Sequence, residues 1–155
     1  MIDLNINMVV DMPVNQVFDF ISTPENDFQW QYGTLASSRL SEHTNIIGTF
    51  FRSVGHMMGR RTQSTFEVIE YEQNKVYGFK SLSGDLHFCT SYSFEIANGG
   101  TKVNISTQAH VGKSSQMDEH ILEKKMKKQL MENLKLLKSL LEEQTVSMDK
   151  SQLGS

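Results

Sequence analysis

The chain has 155 residues, with 15 Lys and Arg against 18 Asp and Glu, a formal net charge of −3 and a hydrophobic content of 38%. This length suits one globular domain with a sizeable buried core, and the near-neutral charge excludes a strongly basic nucleic-acid-binding protein. Cys89 is the single cysteine, which excludes an intrachain disulfide, and no apolar run approaches the roughly 20 residues of a membrane-spanning helix.

The first third of the chain predicts a strand followed by two short helices. Apolar and β-branched residues from 2 to 10 are typical of a strand. Pro13 opens the apolar-periodic stretch 14–21, because proline suits the first helical position, where its missing N–H would have no partner anyway. Thr23 and Pro24 then repeat the start signal, and acidic residues that favour the positive end of a helix follow them.

The middle of the chain, from about residue 34 to 111, reads as a meander of six strands. Turn signals such as Gln73-Asn74 and Asn98-Gly99 recur at intervals of about one strand. Apolar, aromatic and threonine residues alternate with polar residues most clearly in the last two strands. Such alternation predicts an antiparallel sheet that is covered on one face only.

The cover is a long C-terminal helix. Ser115 and Asp118 resemble a capping box at its start. One apolar stripe follows at spacings of three and four, made of Leu122, Met126, Leu130, Leu134, Leu137 and Leu141. The polar segment from Gln144 to Ser155 has no such stripe. We therefore predict a single domain over residues 1–143 and a disordered tail over residues 144–155.

Together these elements predict an α+β fold in which a seven-stranded, curved antiparallel sheet wraps around the long C-terminal helix. One amphipathic helix cannot fill the inner face of a strongly bent sheet, so we expect a cavity with apolar and aromatic walls. The residues predicted to line it are Trp30, Phe51, Ser64, Phe66, Val68, Phe79, Phe88, Thr90, Tyr92, Thr107, Met126, Leu130 and Leu134. Among them, Tyr92 carries a hydroxyl that can orient a ligand carbonyl or phenol.

The order of elements and several sequence stretches resemble the START-like superfamily, also called SRPBCC, whose members have the helix-grip fold. Within it, the chain is most similar to the polyketide cyclase/dehydrase-like group. The matching stretches are MPVNQVFDFI at 12–21, Trp30, GTFFR at 48–52, GRR at 59–61, FEVIEYE at 66–72 and GGTKV at 99–103. The resemblance implies an apolar cavity for a lipid, a polyketide or a similar ligand. It implies no particular reaction, because superfamily members include carriers, receptors, cyclases and co-chaperone-like modules.

Motifs that carry chemistry are scarce. The sequence has no GxSxG, HExxH or P-loop pattern. His87 and His110 fall on the polar parity of their strands, while His43 lies in a turn signal and His120 lies off the helix stripe. His56 stays ambiguous, because its strand has apolar residues on both parities. No pair of histidines has metal-binding spacing on a helix, so we predict no metal and no cofactor and assign no catalytic residue.

Three hypotheses of function follow. The leading one is binding of an apolar small molecule, lipid or polyketide-like, between the sheet and the C-terminal helix, because no acid or base is found on the inner parity of the strands. The second is a polyketide cyclase/dehydrase-type enzyme that uses Tyr92, His56 or an ordered water. The third is a co-chaperone-like interaction module. We expect a cytoplasmic protein with no nucleic-acid partner and no integral membrane segment, and the oligomeric state stays open.

Overall fold

The computed structural model describes residues 1–31, 33–40, 47–57, 60–83, 86–111 and 118–153, with backbone alone at 57, 60, 86 and 144–153. In chain order the elements are β1 Ile2–Val10, α1 Val14–Ile21, a 3-10 helix Pro24–Gln29, β2 Thr34–Arg39, β3 Phe50–Met57, β4 Arg60–Glu72, β5 Val76–Ser81, β6 Leu86–Ala97, β7 Gly100–Val111 and α2 Glu119–Leu153. The predicted sequence of elements is confirmed, and the second short helix is of the 3-10 type.

The seven strands form one antiparallel sheet in the order β1-β7-β6-β5-β4-β3-β2. Consecutive strands from β2 to β7 are neighbours, as a meander requires. β1 and β2 lie at opposite edges, so the connection between them must cross the sheet. That connection contains α1 and the 3-10 helix, which therefore join α2 in covering one face.

The β6–β7 hairpin fixes which side chains of β6 and β7 share a face. Asn98 and Gly99 have φ values of 50° and 83°, which is the conformation of a two-residue type I′ turn. Pairing then runs without a register shift from Ala97 opposite Gly100 to Leu86 opposite Val111. The predicted alternation follows from this register, because successive side chains of a strand point to opposite faces.

Helix α2 packs its apolar stripe on the sheet. Leu134 and Leu137 are fully buried, and Leu122 and Leu141 are 8% and 2% exposed. Met126, earlier on the same stripe, is partly exposed. The core beneath the C-terminal half of α2 includes Phe18 of α1, whose ring contacts two aromatic rings of the sheet edge-on.

Helix α2 runs from Glu119 to Leu153. Asp118 is itself the N-cap, because its carboxylate accepts hydrogen bonds from the N–H groups of His120 and Ile121 at 2.9 and 3.4 Å. Ser115 lies outside the described residues. At the other end the helix continues to Leu153, ten residues past Glu143, because no glycine or proline interrupts the chain before Gly154. The domain boundary at 143 stays a prediction.

Within the described part of the chain, no helix combines the length and the apolarity that crossing a bilayer requires.

Candidate ligand-binding cavity

The structure has a cavity of about 260 Å³ between the helix-covered face of the sheet and α2. Phe66 lies in its wall, with its ring stacked on Phe51 at 5.0 Å and in contact with Phe79 and Phe88, each at 5.5 Å. The sheet register brings these rings together, since Phe51 of β3 pairs directly with Phe66 of β4. The aromatic wall gives an apolar ligand a large contact area.

The floor of the cavity carries two threonines that satisfy each other. Thr90 of β6 is paired with Thr107 of β7, and their hydroxyl oxygens are 3.1 Å apart in a buried hydrogen bond. A hydroxyl that already has a partner costs little to bury. This part of the wall is therefore compatible with an apolar ligand.

One side of the cavity is polar, and a chain of side-chain amides builds it. Gln129 Nε2 donates to Asn133 Oδ1 at 2.9 Å, and Asn133 Nδ2 donates to Gln31 Oε1 at 3.0 Å. Gln31 Nε2 in turn donates to the hydroxyl oxygen of Tyr92 at 3.3 Å. The chain joins α2, the segment after the 3-10 helix, and β6. All four residues line the cavity.

Asp27 adds an acid to the same side. The 3-10 helix has three residues per turn, so Asp27 lies on one face with Pro24 and Trp30, both of which are buried. Its carboxyl group is enclosed, although the residue as a whole is partly exposed. Burial, and then the negative charge of Glu25, raise the pKa of the Asp27 carboxyl well above its ordinary value. Glu25 is itself paired with Arg39 at 3.4 Å.

Tyr92 is held in the neutral phenol form. Burial and the negative charge of Asp27 raise the pKa of its hydroxyl, and the hydrogen bond from Gln31 offsets only part of that shift. The ring is 2% exposed, stacks on Tyr77 at 6.2 Å and meets Trp30 edge-on at 6.1 Å. Packing on both sides fixes where the phenol oxygen lies.

The comparisons with known proteins agree with this architecture. A family model described as "Polyketide cyclase / dehydrase and lipid transport" matches residues 1–142. The chain belongs to this family. A search of curated proteins finds no significant match to the sequence.

Several solved structures of other proteins have the same fold as this chain. A START superfamily protein from Mycobacterium smegmatis superposes with a TM-score of 0.80 at 14% identity, over 92% of this chain and 99% of that one. The di-domain ARO/CYC BexL from the BE-7585A biosynthetic pathway gives 0.75 at 13% identity, over 92% of this chain and 47% of its own. Ara h 8.0201 gives 0.69 at 12% identity, over 89% and 95%. The predicted helix-grip fold and START-like superfamily are thereby confirmed.

Most of the residues that the sequence predicted to line the cavity do border it in the structure. They are Phe51, Phe66, Phe79, Phe88, Thr90, Tyr92, Thr107, Met126 and Leu130. Four others do not. Val68 and Leu134 are buried in the main core cluster and do not border the cavity. Ser64 pairs opposite Ser53 in register, yet only Ser53 borders the cavity. Trp30 is 1% exposed and borders a neighbouring pocket that shares Gln31 and Asn133 with the cavity.

The prediction missed the polar side of the cavity. Asp27, Gln31, Gln129 and Asn133 were not among the predicted lining residues, although all four border it. A signal was present on α2, because Gln129 and Asn133 are four residues apart and flank the leucine stripe. Asp27 had a weaker signal, since it precedes Trp30 by one 3-10 turn. The sequence placed no acid or base on the inner parity of the strands, whereas Asp27 borders the cavity from the 3-10 helix.

The remaining candidates from the sequence lie away from the cavity. His56, His87, His110 and His120 are exposed and do not border it, and His43 lies outside the described residues. Across the described ranges, no group of three His, Cys, Asp or Glu side chains is arranged to hold a metal ion.

Proposed function

We propose that this protein binds a compact, largely apolar small molecule in the cavity between the sheet and α2. The observation that carries the proposal is an aromatic-walled cavity that has the amide chain and Asp27 on one side and a mutually bonded threonine pair in its floor. Such a site favours an apolar body by burial and orients it by a few directed hydrogen bonds. The family description, which includes lipid transport, supports this assignment.

The volume limits the size of the ligand. A cavity of roughly 150 Å³ accommodates benzene, so the 260 Å³ observed here suits a bicyclic molecule of about ten non-hydrogen atoms. Each buried CH₂ group contributes about 0.8 kcal/mol. At ten times its dissociation constant, such a ligand stabilises the fold by about 1.4 kcal/mol. This corresponds to a rise in Tm of roughly 3–6 °C for a chain of this size.

The direct test is a thermal-shift titration with indane, a bicyclic hydrocarbon of matching size. We expect a saturable rise in Tm for the native protein and none for Met126→Trp, because Met126 borders the cavity and the larger side chain occupies it. Lys127→Trp is the matched control, since Lys127 is the next residue on α2 and is exposed. Equal shifts in all three proteins, or no shift in any, would contradict binding in this cavity. The co-chaperone-like hypothesis would then take its place.

A second candidate function, enzymatic catalysis of the cyclase/dehydrase type, is favoured by Asp27. Its enclosed carboxyl has a raised pKa and borders the same cavity as the Tyr92 hydroxyl. An acid–base group is most effective when its pKa lies near the working pH. Asp27 can therefore take an α-proton from a bound ketone while a neutral donor holds the resulting enolate oxygen.

Proton exchange tests this chemistry without knowledge of the natural substrate. We expect the protein to accelerate exchange of the α-hydrogens of 1-indanone with D₂O, followed by NMR, and Asp27→Asn to abolish the acceleration. Glu132→Gln is the control, because Glu132 is an exposed acid on α2 that does not border the cavity. If indanone binds and its α-hydrogens exchange no faster than in buffer, the protein is a binding module rather than an enzyme of this type.

A further inference from the structure

The amide chain at the polar side of the cavity has a direction. Each of its three links has an NH₂ group donating toward Tyr92: Gln129 to Asn133, Asn133 to Gln31, and Gln31 to the phenol oxygen. If Gln31 alone turned round, its NH₂ group would face the NH₂ group of Asn133, and the hydrogen bond between these two residues would be lost. The orientation of Gln31 is therefore set by Asn133 on α2.

The direction decides what Tyr92 offers to the cavity. Its oxygen already accepts a hydrogen bond from Gln31, so its own O–H must donate elsewhere. Within the described residues, Gln31 is the hydrogen-bond partner of this hydroxyl, and no bond links it to Asp27. Tyr92 is buried and borders the cavity. A chain of aligned hydrogen bonds also polarises its last member and strengthens it as a donor.

We propose that the Gln129–Asn133–Gln31 chain fixes Tyr92 as a hydrogen-bond donor, so that the cavity selects ligands bearing an acceptor oxygen, such as a ketone or quinone. This specificity rests on the proposed binding function and adds to it the polar group that the ligand must carry. Tyr92 touches the ligand, whereas Gln31 and Asn133 are positioning residues. A ligand whose polar group can only donate leaves the Tyr92 proton without a partner, and an unpaired buried donor is costly.

Three probes of nearly equal size separate this inference from the binding function itself. 1-Indanone carries an acceptor, indole carries a donor, and indane carries neither. We expect indanone to bind about fivefold more tightly than indane, the usual net effect of one hydrogen bond, and indole to bind no more tightly than indane. If indane binds and indanone gains nothing over it, the donor assignment is wrong while the apolar cavity stands. If none of the three binds, the binding function itself fails.

Two variants test the roles of the residues. Tyr92→Phe should bring indanone down to the affinity of indane and remove the red shift of the bound carbonyl stretch in the infrared spectrum. Tyr77→Phe is the matched control, because Tyr77 is equally buried and stacks on Tyr92 but does not border the cavity. Indanone should keep its advantage and its carbonyl shift in this control.

Gln31→Glu tests the direction of the chain with almost no change in shape. At pH 8 an ionised carboxylate at position 31 accepts from Asn133 and also from Tyr92, so the hydroxyl turns away from the ligand and exposes its oxygen as an acceptor. The preference should then reverse, with indole bound more tightly than indanone. A purely structural role for Gln31 would weaken all three probes alike, and that result would overturn the inference.

Discussion

Leu134→Ala tests whether the apolar stripe of α2 holds the domain together. Leu134 is fully buried in the core cluster, so the substitution removes three carbon atoms from an apolar environment. At about 0.8 kcal/mol for each methyl or methylene group, the lost transfer energy is roughly 2.4 kcal/mol. A residual void adds about 24 cal/mol per Å³, which brings the expected loss of unfolding free energy to roughly 3–5 kcal/mol.

Urea denaturation followed by far-UV circular dichroism measures this loss from the shift in midpoint at constant slope. Leu136→Ala is the control, because Leu136 lies two residues further along α2 and is 44% exposed. We expect it to change the unfolding free energy by less than about 0.5 kcal/mol. A loss below that same limit for Leu134→Ala would refute the assignment of the buried face of α2.

Three further predictions concern the floor of the cavity, its acid and the end of the helix. Thr90→Val or Thr107→Val alone should lower the free energy of unfolding by about 1–3 kcal/mol in urea melts, because each leaves the other buried hydroxyl unpaired. The double variant should be nearly as stable as the native protein. Additive losses in the double variant would contradict the pairing. The pKa of Asp27 is raised in the folded state, so the folded protein keeps a proton that the unfolded chain has lost, and stability should fall as the pH rises from the ordinary value of 3.8 through the raised one. Asp27→Asn should remove this pH dependence and, at pH values above the raised pKa, should be more stable than the native protein. Parallel curves of stability against pH for the two proteins would exclude the raised pKa. Deletion of residues 144–155 should leave Tm nearly unchanged, since Leu141 is the last described core residue on α2; a drop of many degrees would show that this segment packs on the domain.

The elements and their faces were readable from local patterns. The alternation through Phe88, Thr90 and Tyr92 identified the inner face of β6, and a strand's pleat makes that inference independent of the rest of the fold. The stripe through Leu134 and Leu137 identified the buried face of α2 for the same reason. The end of α2 was not readable in this way, because a polar segment without a helix-breaking residue does not mark a boundary, and the domain boundary at 143 stays a prediction.

The polar side of the cavity was decided by tertiary structure. Gln31 meets Tyr92 across 61 residues of sequence and Asn133 across 102. No local periodicity encodes such a meeting, which depends on the crossing of the sheet between β1 and β2 and on the placement of α2 over the strands. Burial of Asp27 likewise depends on what surrounds the 3-10 helix, and burial is what raises the pKa of its carboxyl. The sequence by itself determined which face of each element is apolar, whereas only the packing of distant segments determined where the apolar faces leave a space and which polar groups border it.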